Sequence, residues 1–196
     1  MEIVLATRNR KKIEEIRRIV QGMDMKILTL DDFPGCPEVE EDGDTFEENA
    51  VKKASAVALF AGKTALADDS GLETDFLGGA PGTRSARYAG EDGNDRKNIE
   101  KLLFEMRGAP PGVRKGRFVC CIALVLPDGK VETFMGYADG TIATEPRGNR
   151  GFGYDPVFYP EGFSRTFGEM NEQEKDALSH RGKALGKLKK YLESMS

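Results

Sequence analysis

The feature that most constrains the fold is the run RFVCCIALVL at 117–126, which continues through PDGK at 127–130 into VETFMGYADG at 131–140. The Pro-Asp-Gly sequence is typical of a turn, and the apolar run before it is typical of a strand buried on both faces. The pattern predicts a β-hairpin in a mixed sheet. No apolar run in the chain approaches the length needed to cross a membrane.

Hydrophobic periodicity places helices around this sheet. EIVLA at 2–6 is a short apolar run typical of a strand, and the residues after it have helical spacing. Thr45 and Glu48 have the spacing of a capping box, and Gly62 follows the last apolar turn of the same segment. Helices are therefore predicted at 7–20, 45–62, about 95–107 and from 180 onward, which indicates the α/β class.

Composition excludes several classes of protein. The chain has 196 residues, 39% of them apolar, which is enough for one domain over 1–196, built as two lobes. Its net charge of −4 and pI near 5.3 disfavour nucleic acid as the main partner. MEIVLATRNR has no signal-peptide pattern, so a cytoplasmic protein without a membrane partner is expected. Cys36, Cys120 and Cys121 lack metal-ligand spacing and are predicted to be buried free thiols.

Two adjacent carboxylates, Asp68 and Asp69, follow a strand-like segment in ALADDSGLETD at 65–75. Neighbouring anions repel each other, and a metal ion, a shared proton or water could offset that cost. The loop EVEEDGD at 38–44 could supply another carboxylate. Together these oxygens would suit magnesium, although such a loop is usually only a charged surface loop.

ATRNRKK at 6–12 lies where a strand ends and a helix begins. Thr7 and Asn9 offer capping side chains, and Lys12 lies in the first helical turn, so the segment suits a phosphate group. A capped surface helix with solvated lysines explains the same pattern. On the second helix, Asn49 and Lys53 lie one turn apart on a polar face, where a solvated lysine is again the simpler interpretation.

SHRGKAL at 179–185 places His180 and Arg181 in the first turn of a helix, the end where cations are disfavoured. Ligand binding explains this better than a nearby carboxylate that holds Arg181, and Lys175 is close enough in sequence to reach the same place. In GFGYDP at 151–156, Phe152 and Tyr154 could be core side chains or could stack on a nucleobase.

The motifs TRNRKK, TFEENAVKKA, ADDSGLETDFLGGAPGTRSARYAG, GFGYDPVF and SHRGKAL occur in this order across nearly the whole chain. In this the chain resembles the inosine/xanthosine triphosphate pyrophosphatases, the Ham1-like family. The resemblance implies hydrolysis of deaminated purine nucleoside triphosphates to the monophosphate and pyrophosphate with magnesium. It also implies an elongated mixed β-sheet flanked by helices, two lobes around a central cleft, and a homodimer.

The resemblance also implies roles for particular residues. Thr7, Asn9 and Lys12 match the family's phosphate motif, and Lys53 matches its helix lysine. Asp69 matches the catalytic carboxylate, with Asp68 and the substrate-contacting Ser70 beside it. The base-and-sugar loop and the base-side cations correspond to Phe152, Gly153, Tyr154, Asp155, Lys175, His180 and Arg181. Asp69 and a loop glutamate, Glu40 in preference to Glu41, would bind magnesium, and the ion with its phosphates would neutralise both aspartates.

Two other functions are compatible with parts of this pattern. A Maf-like house-cleaning pyrophosphatase would act on other nucleotides, and a nucleotide-binding sensor would bind without turnover. The acidic ADDSG segment disfavours the sensor, because a site that only binds a triphosphate would use cations and not added anions.

Overall fold

A computed structural model of the chain describes residues 1–90 and 93–194. Within them the helices are α1 (Arg10–Ile19), α2 (Phe46–Ala61), α3 (Asp95–Glu105), α4 (Glu172–Leu178) and α5 (His180–Ser194). The strands are β1 (Glu2–Leu5), β2 (Lys26–Leu28), β3 (Thr64–Thr74), β4 (Lys115–Val125), β5 (Val131–Ile142) and β6 (Phe158–Pro160). The predicted helices are all present, and the α/β class is confirmed.

The six strands form one sheet in the order β2-β1-β3-β4-β5-β6 across the described residues. β1 pairs in parallel with β2 and β3, whereas β5 and β6 pair antiparallel, so the predicted mixed sheet is confirmed. β4 and β5 are neighbours joined by a tight turn in which Leu126 N donates to Lys130 O at 2.9 Å. β4 is buried without interruption from Phe118 to Val125, as the apolar run predicts.

The chain divides into two compact units whose boundaries fall inside β3, β4 and β5 and after the first residue of α5. Unit 1 contains Met1–Asp69, Cys120–Gly136 and the described residues from Arg181 onward. In its core, apolar residues of α1 and α5 pack against alternate residues of three strands: Ile16, Val20, Ala184, Leu185 and Leu188 against Ile3, Leu5, Leu66, Cys120, Ile122 and Leu124. The intervening strand residues Val4, Ala65, Ala67, Cys121 and Ala123 are also buried. Because strand side chains alternate between faces, both faces of the sheet are covered in this unit.

Unit 2 contains the described residues of Ser70–Val119 and Tyr137–His180. Its core joins the apolar face of α3 to an aromatic cluster of Phe118, Phe158 and Phe167. The Phe118 and Phe158 rings meet edge to face at 4.7 Å between centroids, and Phe158 stacks on Phe167 at 5.3 Å. The arrangement of the two units about a cleft stays a prediction.

Local sequence signals account for most boundaries. Thr45 and Glu48 form the predicted capping box of α2, and Gly62 ends that helix with φ of +61°. No sequence pattern predicts β2, β6 or α4, which are three to seven residues long.

Cys36, Cys120 and Cys121 are buried free thiols, as predicted. Of the helices in the described residues, none is long and apolar enough to cross a membrane.

Candidate active site

The first group of candidate residues lies at the β1–α1 junction in unit 1. Asn9 caps α1 by accepting a hydrogen bond from Lys12 N at 3.2 Å, and Thr7 Oγ1 accepts one from Asn9 N at 3.2 Å. These bonds fix the turn from which α1 starts, and they hold Lys12 in its first turn. The side chain of Lys12 remains 16% exposed, so its ammonium can reach a ligand.

Asp68 and Asp69 lie on opposite faces of β3. Asp68 follows Leu66 on the face covered by α1 and α5, whereas Asp69 follows Ala67 on the other face. The strand alternation therefore sends two neighbouring carboxylates into two different environments. This geometry answers how adjacent like charges are tolerated, because Arg181 pairs with Asp68 and Lys53 with Asp69, while Lys12 pairs with Asp68 and also acts on Asp69.

Asp68 is 1% exposed and lies among cations of unit 1. Arg181 donates to both of its oxygens, at 2.8 and 3.3 Å, and Lys12 Nζ lies 2.7 Å from Oδ1. Cys120 Sγ donates to Oδ2 at 3.2 Å. Burial alone would raise the pKa of Asp68, but Arg181 and Lys12 hold it well below its ordinary value. The interpretation that a divalent ion neutralises both aspartates is therefore corrected for Asp68, whose charge the protein itself balances.

Arg181 is held by two buried carboxylates. Besides Asp68, its guanidinium donates through Nη1 to Glu15, a residue of α1 that is only 6% exposed. The structure thus supports the alternative in which carboxylates hold Arg181, not the preferred one in which Arg181 binds a ligand. Sequence reasoning missed Glu15, which precedes the buried Ile16 in a helix otherwise rich in exposed charge.

On the other face of β3, Lys53 of α2 links two carboxylates. Its Nζ lies 3.1 Å from Asp69 Oδ1 and 2.7 Å from Glu41 Oε1, and it donates to the backbone oxygen of Asp68 at 2.9 Å. Burial alone would lower the pKa of Lys53, but the two carboxylates raise it above its ordinary value. Lys53 is consequently a buried, permanent cation and not the solvated surface lysine of the simpler interpretation.

Asp69 is less well satisfied than its neighbour. Its Oδ2 is buried and, within the described part of the chain, has no hydrogen-bond partner. Burial raises the pKa of Asp69 above its ordinary value, Lys53 and Lys12 oppose that change, and Glu41 adds to it. A buried carboxylate oxygen without a donor is costly, so a cation or a water molecule is expected to contact Oδ2 when the site is in use.

The acidic loop is held in place by α2. Asn49, which is fully buried, accepts a hydrogen bond from Gly43 N at 2.8 Å and donates to Gly43 O at 3.4 Å. A Cβ at Gly43 would lie 2.8 Å from Asn49 Oδ1, so only glycine allows this close approach. Glu41 then reaches Lys53 at the partly buried end of the loop, while Glu40 is exposed. The contacts favour Glu41 over Glu40 as the glutamate beside Asp69.

This arrangement fits magnesium better than a transition metal. Among the described residues, no group of three or more His, Cys, Asp or Glu side chains could hold a metal ion. Magnesium, however, uses one or two carboxylates and keeps water molecules and substrate phosphates as its other ligands. The orphaned Asp69 Oδ2 and one loop glutamate match that requirement.

A second group of candidate residues belongs to the 151–155 loop in unit 2. Asp155 Oδ2 accepts hydrogen bonds from Phe152 N at 2.8 Å and from the buried Lys175 Nζ at 2.6 Å. The same ammonium lies 4.8 Å from the centre of the Phe152 ring. Gly151 has φ of +71°, and a Cβ there would lie 2.0 Å from Asp155 Oδ2. Lys175, Asp155 and Gly151 together fix the half-buried Phe152 ring.

Four more predicted residues are found in unit 2. Tyr154 is 4% exposed and donates its hydroxyl to Ser85 O at 2.9 Å, which supports the core interpretation of this side chain. His180 stacks on Phe118 with ring centroids 4.6 Å apart and planes 7° from parallel. Ser70 lies half-buried in β3, and Gly153 has φ of +59° in the loop.

The family is decided by comparison with known proteins. A family model described as the Ham1 family matches residues 3–191. The chain belongs to the Ham1 family. A relative named dITP/XTP pyrophosphatase, from Geobacter sulfurreducens, is 51% identical over 97% of this chain and 96% of its own. Another of that name, from Desulforamulus reducens, is 47% identical over 100% of this chain and 97% of its own. A solved HAM1 protein from Coxiella burnetii has a TM-score of 0.90 and 42% identity, and it covers 99% of each chain.

These matches cover nearly the whole chain, so they include both groups of candidate residues. The Ham1 membership agrees with the resemblance found in the sequence motifs, and the structural match confirms the α/β fold. The role of each predicted site residue is not tested by the comparisons and stays a prediction.

Proposed function

We propose that this protein hydrolyses deaminated purine nucleoside triphosphates, such as dITP, ITP and XTP, to the monophosphate and pyrophosphate. The observation that carries the proposal is the full-length similarity, at 51% identity, to a relative named dITP/XTP pyrophosphatase. The chemistry of the site supports it, because anions and cations for phosphoryl transfer lie together in unit 1.

The residues of unit 1 fit attack of water on the α-phosphorus with pyrophosphate as the leaving group. Lys12 and Lys53 stabilise the negative charge that develops on the pyrophosphate, while Thr7, Asn9 and the α1 amides orient the phosphates. Asp69 has two alternative roles: it deprotonates the attacking water, for which its raised pKa favours proton uptake, or it serves as a ligand of the metal ion. Asp68 is assigned to positioning instead of chemistry, because it is buried behind Lys12 and Arg181.

Magnesium is the cofactor that this donor set favours, with Asp69 and Glu41 as its protein ligands and Glu40 as the neighbouring alternative. When bound, the ion supplies positive charge that neutralises the phosphates and polarises the bond that breaks. Measuring turnover against magnesium concentration in Glu40→Gln and Glu41→Gln shows which glutamate binds the ion. Only the variant that lacks the metal ligand should need a higher magnesium concentration.

Base recognition is assigned to unit 2. The fixed Phe152 ring offers a stacking surface, and His180 offers a donor for the 6-oxo group that deamination creates. Adenine carries a 6-amino donor there, so the donors would face each other, at a cost of about 1–3 kcal/mol. Guanine shares the 6-oxo group but also carries a 2-amino group. The pocket discriminates against guanine if it lacks an acceptor for that amino group.

The remaining expectations are a homodimer, a cytoplasmic location and no nucleic-acid partner. Light scattering coupled to size-exclusion chromatography tests the dimer directly. A Maf-like pyrophosphatase acting on other nucleotides is the alternative among enzymes, and a sensor is the alternative without turnover.

Hydrolysis of ITP in water labelled with ¹⁸O tests the reaction itself. Attack on the α-phosphorus places the label in IMP and leaves the pyrophosphate unlabelled. Label in the pyrophosphate, or release of orthophosphate and IDP, would contradict the proposed reaction. A sensor would give no product at all.

A further inference from the structure

Four charged side chains form a continuous cluster between α1, β3 and α5 in unit 1. Arg181 contacts both Glu15 and Asp68, and Asp68 contacts Lys12 at 2.7 Å. Glu15, Asp68 and Arg181 are 6%, 1% and 1% exposed, whereas the side chain of Lys12 keeps 16% exposure. Two carboxylates and two cations thus balance each other, and only Lys12 extends toward the surface.

We propose that Glu15 is a positioning residue that acts through Arg181 and Asp68 to hold the Lys12 ammonium where the substrate phosphates bind. The proposal rests on the function proposed above. Glu15 and Lys12 belong to the same helix, and the route between their charges passes through β3 and α5.

Charge balance explains how Glu15 acts over this route. Without its carboxylate, Arg181 and Lys12 would share the single charge of Asp68 in a buried environment, where an unpaired charge is costly. Arg181 holds Asp68 with two hydrogen bonds and cannot reach water, so it keeps its partner. Lys12 contacts Asp68 at Oδ1 and, at 3.5 Å, at its backbone oxygen, but its side chain is 16% exposed and has access to solvent, so it is the group that moves away.

The same contacts explain the unusual position of Arg181. A guanidinium in the first turn of a helix is disfavoured by the helix dipole, and the carboxylates of Glu15 and Asp68 offset that cost. Its Nε, Nη1 and Nη2 all donate to these carboxylates. Arg181 therefore acts on the phosphate-binding residues of unit 1. Selectivity for the base does not depend on Glu15.

Glu15→Gln tests the proposal, with Glu14→Gln as its matched control. Glu14 is the exposed neighbour on the same helix, so its variant removes the same charge without touching the cluster. In Glu15→Gln we expect the dissociation constant for pyrophosphate, measured by calorimetry with magnesium, to rise about tenfold, as for loss of one charge-assisted contact. The KM for ITP and for ATP should rise by similar factors, and their ratio of kcat/KM should stay unchanged. A changed ITP-to-ATP ratio with normal pyrophosphate binding would overturn the proposal.

A double-mutant cycle separates this role from a general structural one. In a Lys12→Met background, Glu15→Gln should weaken pyrophosphate binding no further, because the group through which it acts is already gone. A further loss of the same size in that background would overturn the proposal.

A charge-balanced variant guards against simple misfolding of Glu15→Gln. The double variant Glu15→Gln/Arg181→Gln again has one cation, Lys12, for one carboxylate, Asp68. We expect it to bind pyrophosphate more tightly than Glu15→Gln alone, and failure to recover would contradict the proposal. Wild-type protein that binds pyrophosphate but does not hydrolyse ITP would refute the proposed function while leaving this cycle measurable.

Discussion

The two neighbouring aspartates of β3 show how the surroundings of a residue decide its role. Asp68 has a lowered pKa because Arg181 and Lys12 outweigh its burial, whereas Asp69 has a raised pKa because its burial is not fully offset. Folding therefore stabilises the ionised form of Asp68 and disfavours that of Asp69. Asp68 therefore stabilises the fold. Asp69, with its raised pKa, has the perturbed carboxylate that is typical of functional sites.

Replacement of Asp69 by Asn should abolish turnover without loss of stability. The variant removes a charge that folding disfavours, so the melting temperature at neutral pH should equal or exceed that of the wild type. Thermal unfolding and steady-state hydrolysis of ITP measure the two effects. A near wild-type kcat with magnesium would show that Asp69 is neither the base nor an essential ligand.

Replacement of Asp68 by Asn, in contrast, should lower the stability of the protein. It leaves Arg181 and Lys12 short of a buried partner, which costs about 3–5 kcal/mol in the free energy of unfolding. Because the pKa of Asp68 is lowered on folding, its contribution exists above about pH 3.9, the ordinary value in an unfolded chain. It should disappear as the pH falls through the lower folded value. Urea unfolding of both proteins measures this, and equal stability at pH 7 would contradict the cluster's importance.

At the scale of elements, hydrogen bonds hold the 151–155 loop, because Asp155 is satisfied by the backbone of the loop and by Lys175 of α4. Asp155 binds Phe152 N and the Lys175 ammonium, and Gly151 provides the close approach that the carboxylate needs. Loops that carry functional side chains work best when a packed scaffold fixes them.

Replacement of Gly151 by Ala should lower kcat/KM for ITP and leave pyrophosphate inhibition unchanged. The new Cβ would lie 2.0 Å from Asp155 Oδ2, so the loop has to shift. Gly162→Ala is the control, because Gly162 has a similar φ of +83° but a Cβ added there would meet nothing within 4 Å. Equal losses in the two variants would mean that backbone strain alone, and not the position of Phe152, causes the effect.

The sequence predicts the long elements because their signals are local. The β4 run, the α2 capping box and the apolar stripe of α5 are each visible in a short window. β2, β6 and α4 are too short to show hydrophobic periodicity. In addition, β2 and β6 form by pairing with other strands of the chain, β1 and β5. Motif matching named the candidate site residues, but it did not predict which charged groups contact each other. The pairing of Glu15 with Arg181 spans 166 positions, and no local pattern signals it.

At the scale of the whole molecule, family membership and the described sites converge on one reaction. The Ham1 family model matches residues 3–191, which include the candidate residues of unit 1, proposed to bind the phosphates, and those of unit 2, proposed to bind the base. If each unit supplies one kind of recognition, as proposed, triphosphate binding and base selectivity should respond to different substitutions.

The most direct test of the central claim is kcat/KM for pyrophosphate release with magnesium across dITP, ITP, XTP, ATP and GTP. We predict that the three deaminated nucleotides exceed ATP and GTP by at least about tenfold, the factor expected from one unmatched buried hydrogen-bonding group. Comparable values for ATP and ITP would contradict the account.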